Sequence, residues 1–283
     1  YGPEHSVQDT RNVFAAVCRD FQQPLPEGIV FEDIHSNGVA VRVYSAGQPT
    51  RTVMYFHGGG FVIGSPDTHH DVCAELCVQT GYRVVSVDYR LGPEFRHPAQ
   101  FDDCWNATLW TAATYGDPIV LVGDSAGGAL AACVAHHARG RLDSLLGQVL
   151  IYPVLGDDLT RGSYIEHANA PLLSAEEMGF FMQARSEGEI PQGDPTFLPL
   201  QDQDFANIVP TVVFTADCDP LRDDGPDYVE RLRDAGCKAE WNNEEGLIHG
   251  YIRARASVPR ARDSFERISI AIEALGQSIW PYD

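Results

Sequence analysis

Lysine is almost absent from this chain: Lys238 is the only one, and every other basic residue is arginine. Positive charge is scarce altogether, with 20 basic against 40 acidic residues and a formal net charge of −20. That balance excludes nucleic-acid binding and docking on an anionic membrane, both of which need a basic surface. A surface so acidic stays soluble while repelling itself. Long apolar runs are lacking too. No stretch reaches the roughly 18 uncharged apolar residues of a membrane-spanning helix; the best, 119–138, is interrupted by Asp124 and three glycines. The opening YGPEHSVQDT has neither a basic start nor an apolar core, so no secretory leader is visible.

Seven cysteines form no framework, and no CxxC occurs. Cys73 and Cys77 lie four apart, the spacing of one helix face, so the set reads as small apolar side chains in a reducing, cytoplasmic compartment. There is no G-x-G-x-x-G and no P-loop, hence no signature of a dinucleotide or nucleotide cofactor. His69, His70 and Asp71 suggest a metal, but they fall at a helix start without a second ligand cluster, and no metal is expected.

What the chain does contain is an alternation of short apolar runs and helical patterns. At 283 residues and 44% apolar composition it suits one large α/β domain. Strands are predicted at 29–34, 39–44, 52–56, 83–88, 119–122, 148–152, 211–215 and 238–242. Helices are predicted at 68–80, 98–115, 126–138, 175–184, 222–235 and 259–279. In the last, Phe265, Ile268, Ile272, Leu275 and Ile279 recur at spacings of three and four. The middle strands are apolar on both faces, as in a parallel sheet covered front and back, whereas the first two look like an antiparallel edge. The expectation is a doubly wound α/β fold. Residues 1–26 and 156–205 fit no part of the sheet. They read as a cap over its carboxyl edge, where ligands of such folds bind.

The strongest chemical signal is IVLVGDSAGG, 119–128. An apolar strand enters Gly123-Asp124-Ser125-Ala126-Gly127 and continues as a helix, the context a nucleophile elbow requires. Glycines flank the serine where a tight turn leaves no room for Cβ. A second signal, Tyr55-Phe56-His57-Gly58-Gly59-Gly60-Phe61, follows a strand; HGGG loops turn amides toward an oxyanion, together with the N–H after the nucleophile, Ala126. His57 precedes the elbow and is read as loop architecture. A hydrolase of this kind needs Ser, then an acid, then His. Of the histidines after Ser125, His136 and His137 fall on the following helix, partly exposed, and His167 falls in the cap. His249 follows the last strand and is the candidate base. The acid lies at or after the strand TVVFTAD; Asp217, Asp219, Asp223 and Asp224 all qualify, the last two also as helix starters.

With these pieces in place the chain resembles the hormone-sensitive-lipase-like family of bacterial esterases. HGGGF at 57–61, DYRLGPE at 88–94, HPA at 97–99, GDSAGG at 123–128, YPVL at 152–155, DPLRDD at 219–224 and IHGY at 248–251 occur in family order over most of the chain. The resemblance implies an eight-stranded α/β-hydrolase core and a cap built from the N-terminal segment plus an insertion. It also implies Asp219 as the acid, Gly58, Gly59 and Ala126 as oxyanion donors, no cofactor, short-acyl esters as substrates and a homodimer. Gly92 and Phe95-Arg96-His97 depart from the family, which more often has Ala and His-Pro-Phe there. The same triad also serves amidases and deacetylases. Plant gibberellin receptors share the scaffold but lack the histidine that is present here as His249.

Overall fold

The computed structural model describes residues 6–186 and 188–282. In chain order the elements are α1 (Val7–Phe21), β1 (Val30–Ser36), β2 (Val39–Ser45), β3 (Thr52–Phe56), α2 (His70–Thr80), β4 (Arg83–Asp88), α3 (Ala99–Tyr115), β5 (Ile119–Asp124), α4 (Ala126–Ala138) and β6 (Leu145–Ile151). There follow α5 (Ser163–Glu166), α6 (Ala175–Arg185), β7 (Thr211–Cys218), α7 (Asp224–Asp234), β8 (Ala239–Ile248) and α8 (Pro259–Gly276). The strands form one eight-stranded sheet ordered β1-β2-β4-β3-β5-β6-β7-β8. β1 and β2 pair antiparallel at one edge, β2 meets β4 antiparallel, and every later pairing is parallel.

Side chains alternate across the sheet with the period of two that a strand imposes. On β3, Met54 and Phe56 enter the core under α3, α4 and α7, while Val53 and Tyr55 enter the core under α2 and α8. Both faces are covered, which is why the middle strands carry no polar alternation. Phe265, Ile268, Ile272 and Leu275 of α8 are buried as their spacing predicts. The helix ends at Gly276, however, and Ile279 lies beyond it, half exposed. Among the described residues no helix is long and apolar enough to cross a membrane.

One strand and one side chain differ from their prediction for identifiable reasons. β8 runs on to Ile248, past the predicted end at 242. Its extension, Asn243 to Gly246, is polar because this is an edge strand, and pairing with β7 sustains it as far as Cys218 opposite Ile248. His136 was expected to be partly exposed and is buried. Its Nδ1 lies 2.6 Å from Asp202 and its Nε2 2.9 Å from the Tyr228 hydroxyl, a polar tie that makes a buried imidazole tolerable. All seven cysteines are free; five are buried and Cys218 and Cys237 half-buried.

Candidate active site

Ser125 stands between β5 and α4 with φ 54° and ψ −119°, a conformation sparsely populated for a side-chain-bearing residue. The strain is held by its surroundings. The Ser125 N–H donates to the Ile151 carbonyl at 2.8 Å. A Cβ on Gly127 would collide with the Phe56 carbonyl, and one on Gly123 with the Gly127 carbonyl. The two elbow glycines are thus required by close approach of neighbouring backbone.

β8 delivers His249 to this turn from the far side of β6 and β7. His249 Nε2 lies 2.9 Å from Ser125 Oγ, and His249 Nδ1 lies 2.6 Å from Asp219 Oδ2. Asp219, just past β7, is fully buried, and its other oxygen accepts the Leu221 N–H at 2.9 Å. An ionised carboxylate only accepts, so the proton of neutral His249 sits on Nδ1 and Nε2 is left to accept from the serine hydroxyl. The competing aspartates are occupied elsewhere. Asp217 accepts from Asn243 Nδ2 and the Gly246 N–H, bracing the end of β8. Asp223 accepts from the Ser163 N–H and Arg222. Asp224 accepts from the N–H groups of Leu155 and Gly156.

The glycine loop requires one correction. The Gly58 N–H donates to Asp124 Oδ1 at 2.9 Å and is therefore spent inside the protein, so Gly58 is not a free oxyanion donor. Gly59 and Gly60 follow with φ of 129° and 58°, conformations open to glycine, and they line the cleft with Ser125. No acceptor among the described residues takes the N–H of Gly59, Gly60 or Ala126. Sequence reasoning missed Gly60; the usable signal was the aspartate in the elbow, whose carboxylate needs a backbone donor. His57 is buried and stacked on Tyr89 at 4.2 Å between ring centroids, with Nδ1 2.9 Å from the Gly58 carbonyl; burial lowers its pKa to about 3, so it stays neutral. His167 lies against Arg222 at 3.0 Å, away from the elbow.

In front of Ser125 a cavity of about 70 Å³ remains. Its walls come from both predicted cap segments, Phe14 of α1 and Leu172, Leu173, Met178 and Phe181 of the insertion, together with Ile63, Val154 and Arg253. Phe181 lies directly over Gly60, where a Cβ would strike its ring. Arg253 went unnoticed in the sequence. It lies on the short 3₁₀ helix Tyr251–Ala256, which begins two residues after His249, and it lines the same cleft.

A family model for the alpha/beta hydrolase fold matches residues 53–253. The chain belongs to that family, in its hormone-sensitive-lipase-like branch. The carboxylesterase NlhH of Mycobacterium tuberculosis is 39% identical over 226 residues, 76% of this chain and 70% of the relative. An ethyl acetate hydrolase of Pseudomonas putida is 33% identical over 235 residues, 80% of this chain and 73% of that one. The solved structure of a hyperthermophilic esterase from Pyrobaculum calidifontis superposes with a TM-score of 0.89 at 33% identity, covering 96% of this chain and 94% of the other. With this family comes the general activity: the chain is a carboxylic ester hydrolase.

Proposed function

We propose that this hydrolase cleaves small esters of short-chain acids through an acyl-enzyme formed on Ser125. The observation that carries the reading is the continuous relay from Ser125 Oγ through His249 to the buried carboxylate of Asp219. As Oγ attacks the ester carbonyl, its proton passes to His249 Nε2, and Asp219 stabilises the imidazolium that forms. The N–H groups of Gly59, Gly60 and Ala126 receive the oxyanion, with the N-terminal end of α4 adding its positive dipole. His249 then protonates the leaving alcohol and, in the second half, takes a proton from water as it attacks the acyl-enzyme. The narrow cavity under Phe181 favours small acyl groups, in keeping with a relative named for ethyl acetate. In this reading α1 and the insertion around α6 form the cap. A non-catalytic receptor would have no use for the intact relay.

The test is hydrolysis of p-nitrophenyl esters from acetate to palmitate by the wild type and Ser125→Ala. The expected result is turnover concentrated on the shortest esters and a loss on the order of 10⁵–10⁶ in the variant. Comparable turnover by both proteins refutes the nucleophile, and preference for palmitate refutes the short-acyl reading.

A further inference from the structure

Asp124, beside the nucleophile, poses an electrostatic problem. Its side chain is buried, and Oδ1 accepts the Gly58 N–H at 2.9 Å and the Tyr55 hydroxyl at 2.8 Å. Gly58 is a glycine for a matching reason: a Cβ there would collide with Asp124 Oδ2. The carboxylate thereby anchors the loop that carries Gly59 and Gly60. Yet it places a full negative charge one residue from Ser125 and one residue from the first free amide, where the reaction must build another. In a site with little water, an uncompensated anion opposes the oxyanion strongly.

The compensating charge comes from the turn after His249. Arg253 is half-buried and its guanidinium is fixed at three points: Nη1 donates to the Thr68 carbonyl at 2.8 Å, Nη2 lies 2.9 Å from His69 Nε2, and the group sits 4.9 Å from the centre of the Phe14 ring. No carboxylate among the described residues lies within ion-pair distance of it. His69 Nδ1 lies 2.9 Å from Thr68 Oγ1, and its Nε2 is shared between the guanidinium and the Asp124 carboxylate. The Thr68 hydroxyl in turn donates to the Ser65 carbonyl at 2.8 Å. The same Nε2 edge is 3.3 Å from Asp124 Oδ1. Cation and anion thus converge on one ring nitrogen of His69, close to each other without forming a direct ion pair.

We propose that Arg253, held beside the His69–Asp124 contact, supplies the counter-charge that lets Asp124 anchor the oxyanion loop without opposing the oxyanion, which makes both of them positioning residues for ester hydrolysis. The proposal rests on the acyl-enzyme mechanism above. A neutral ester feels little of the pairing, whereas the tetrahedral intermediate feels all of it, so the effect belongs in kcat and not in KM.

The experiment measures kcat and KM on p-nitrophenyl butyrate, and Ki for phenylboronic acid, which adds to serine as a tetrahedral anion. The proteins are wild type, Arg253→Gln, Arg253→Lys, Asp124→Asn and the double variant Arg253→Gln/Asp124→Asn. Arg253→Gln should lower kcat about tenfold to hundredfold, less than the ~10²–10³ of losing an oxyanion donor outright, with KM within about threefold and boronate affinity falling in step. Arg253→Lys should retain most of the rate. In the double variant asparagine keeps an acceptor for Gly58 but removes the charge, so kcat should recover at least about fivefold over Arg253→Gln. The pairing is overturned if lysine is as poor as glutamine, if the loss sits in KM, or if the double variant gains nothing. Should the double variant not fold, the lysine–glutamine contrast decides alone. Absence of wild-type turnover would strike the mechanism assigned to Ser125. The boronate affinities still read the pairing without turnover.

Discussion

Asp224→Asn isolates the cost of keeping one carboxylate charged inside this fold. Asp224 opens α7, is 2% exposed, and accepts the N–H groups of Leu155 and Gly156 at 2.8 and 2.9 Å and the Tyr164 hydroxyl at 3.1 Å. These bonds favour the charged form, but burial outweighs them and, with Asp227 nearby, pushes the pKa from 3.8 up to about 6. Asp157, Asp158, Asp227, Glu230 and Asp234 share the adjoining cleft with only Arg161 and Arg231, so the surroundings supply little relief. The sign follows from linkage. Between pH 3.8 and 6 the folded state holds a proton that the unfolded state has lost, so the stability contributed by this group is present at low pH and disappears as pH rises through 6. From pH 5.0 to 7.5 the loss amounts to about 1.4 kcal/mol, the equivalent of one pKa unit. Asparagine resembles the protonated acid in shape, retains an acceptor for the two amides, and does not titrate. The stability of Asp224→Asn relative to wild type should therefore rise by about 1.4 kcal/mol between those two pH values. Urea unfolding of both proteins at each pH measures it, since all other titrations cancel in the difference. A difference that stays constant within about 0.5 kcal/mol, or that moves the other way, would show that Asp224 is ionised at no cost and refute the reasoning.

Two further outcomes test the site itself. Asp219→Asn should cost on the order of 10⁴ in kcat by removing the group that holds the His249 tautomer, while Asp217→Asn, which touches only Asn243 and Gly246, should cost less than about tenfold; steady-state rates on p-nitrophenyl butyrate compare the two, and equal losses would misassign the acid. Phe181→Ala should raise kcat/KM for the octanoate ester relative to the butyrate roughly tenfold by opening the wall above Gly60. The cap should stay in place, because the buried Arg185 still anchors α6 through the Phe197 carbonyl at 2.7 Å and by stacking between Phe61 and Phe197. An unchanged chain-length profile would remove Phe181 from the acyl site.

What could be read in advance depended on whether the determining physics was local. The elbow was legible because strand, glycines, serine and helix follow one another within ten residues, and each constrains the next through backbone geometry alone. The sheet was legible because burial on both faces leaves uniform apolar runs, and β8 was cut short in the reading because an edge strand need not be apolar. Spacing left four aspartates open as the acid, and family resemblance pointed to Asp219. In the fold, Asp219 is the one whose free oxygen meets His249, because the chain turns after β7 and buries it, while Asp217 two residues earlier points at the end of β8. Gly58 was misjudged for the opposite reason. In sequence it is one of three equivalent glycines, and only the packing of β5 against β3 shows that Asp124 has already claimed its N–H. That contact is an electrostatic decision as much as a geometric one. Anchoring the loop by a carboxylate makes the loop rigid but leaves an anion beside the nucleophile, and a fold that adopts this solution must bring a cation to the same place from another segment. Here that segment is the turn after His249, so the residues that follow the base share in the work of the oxyanion loop nearly two hundred positions earlier in the chain.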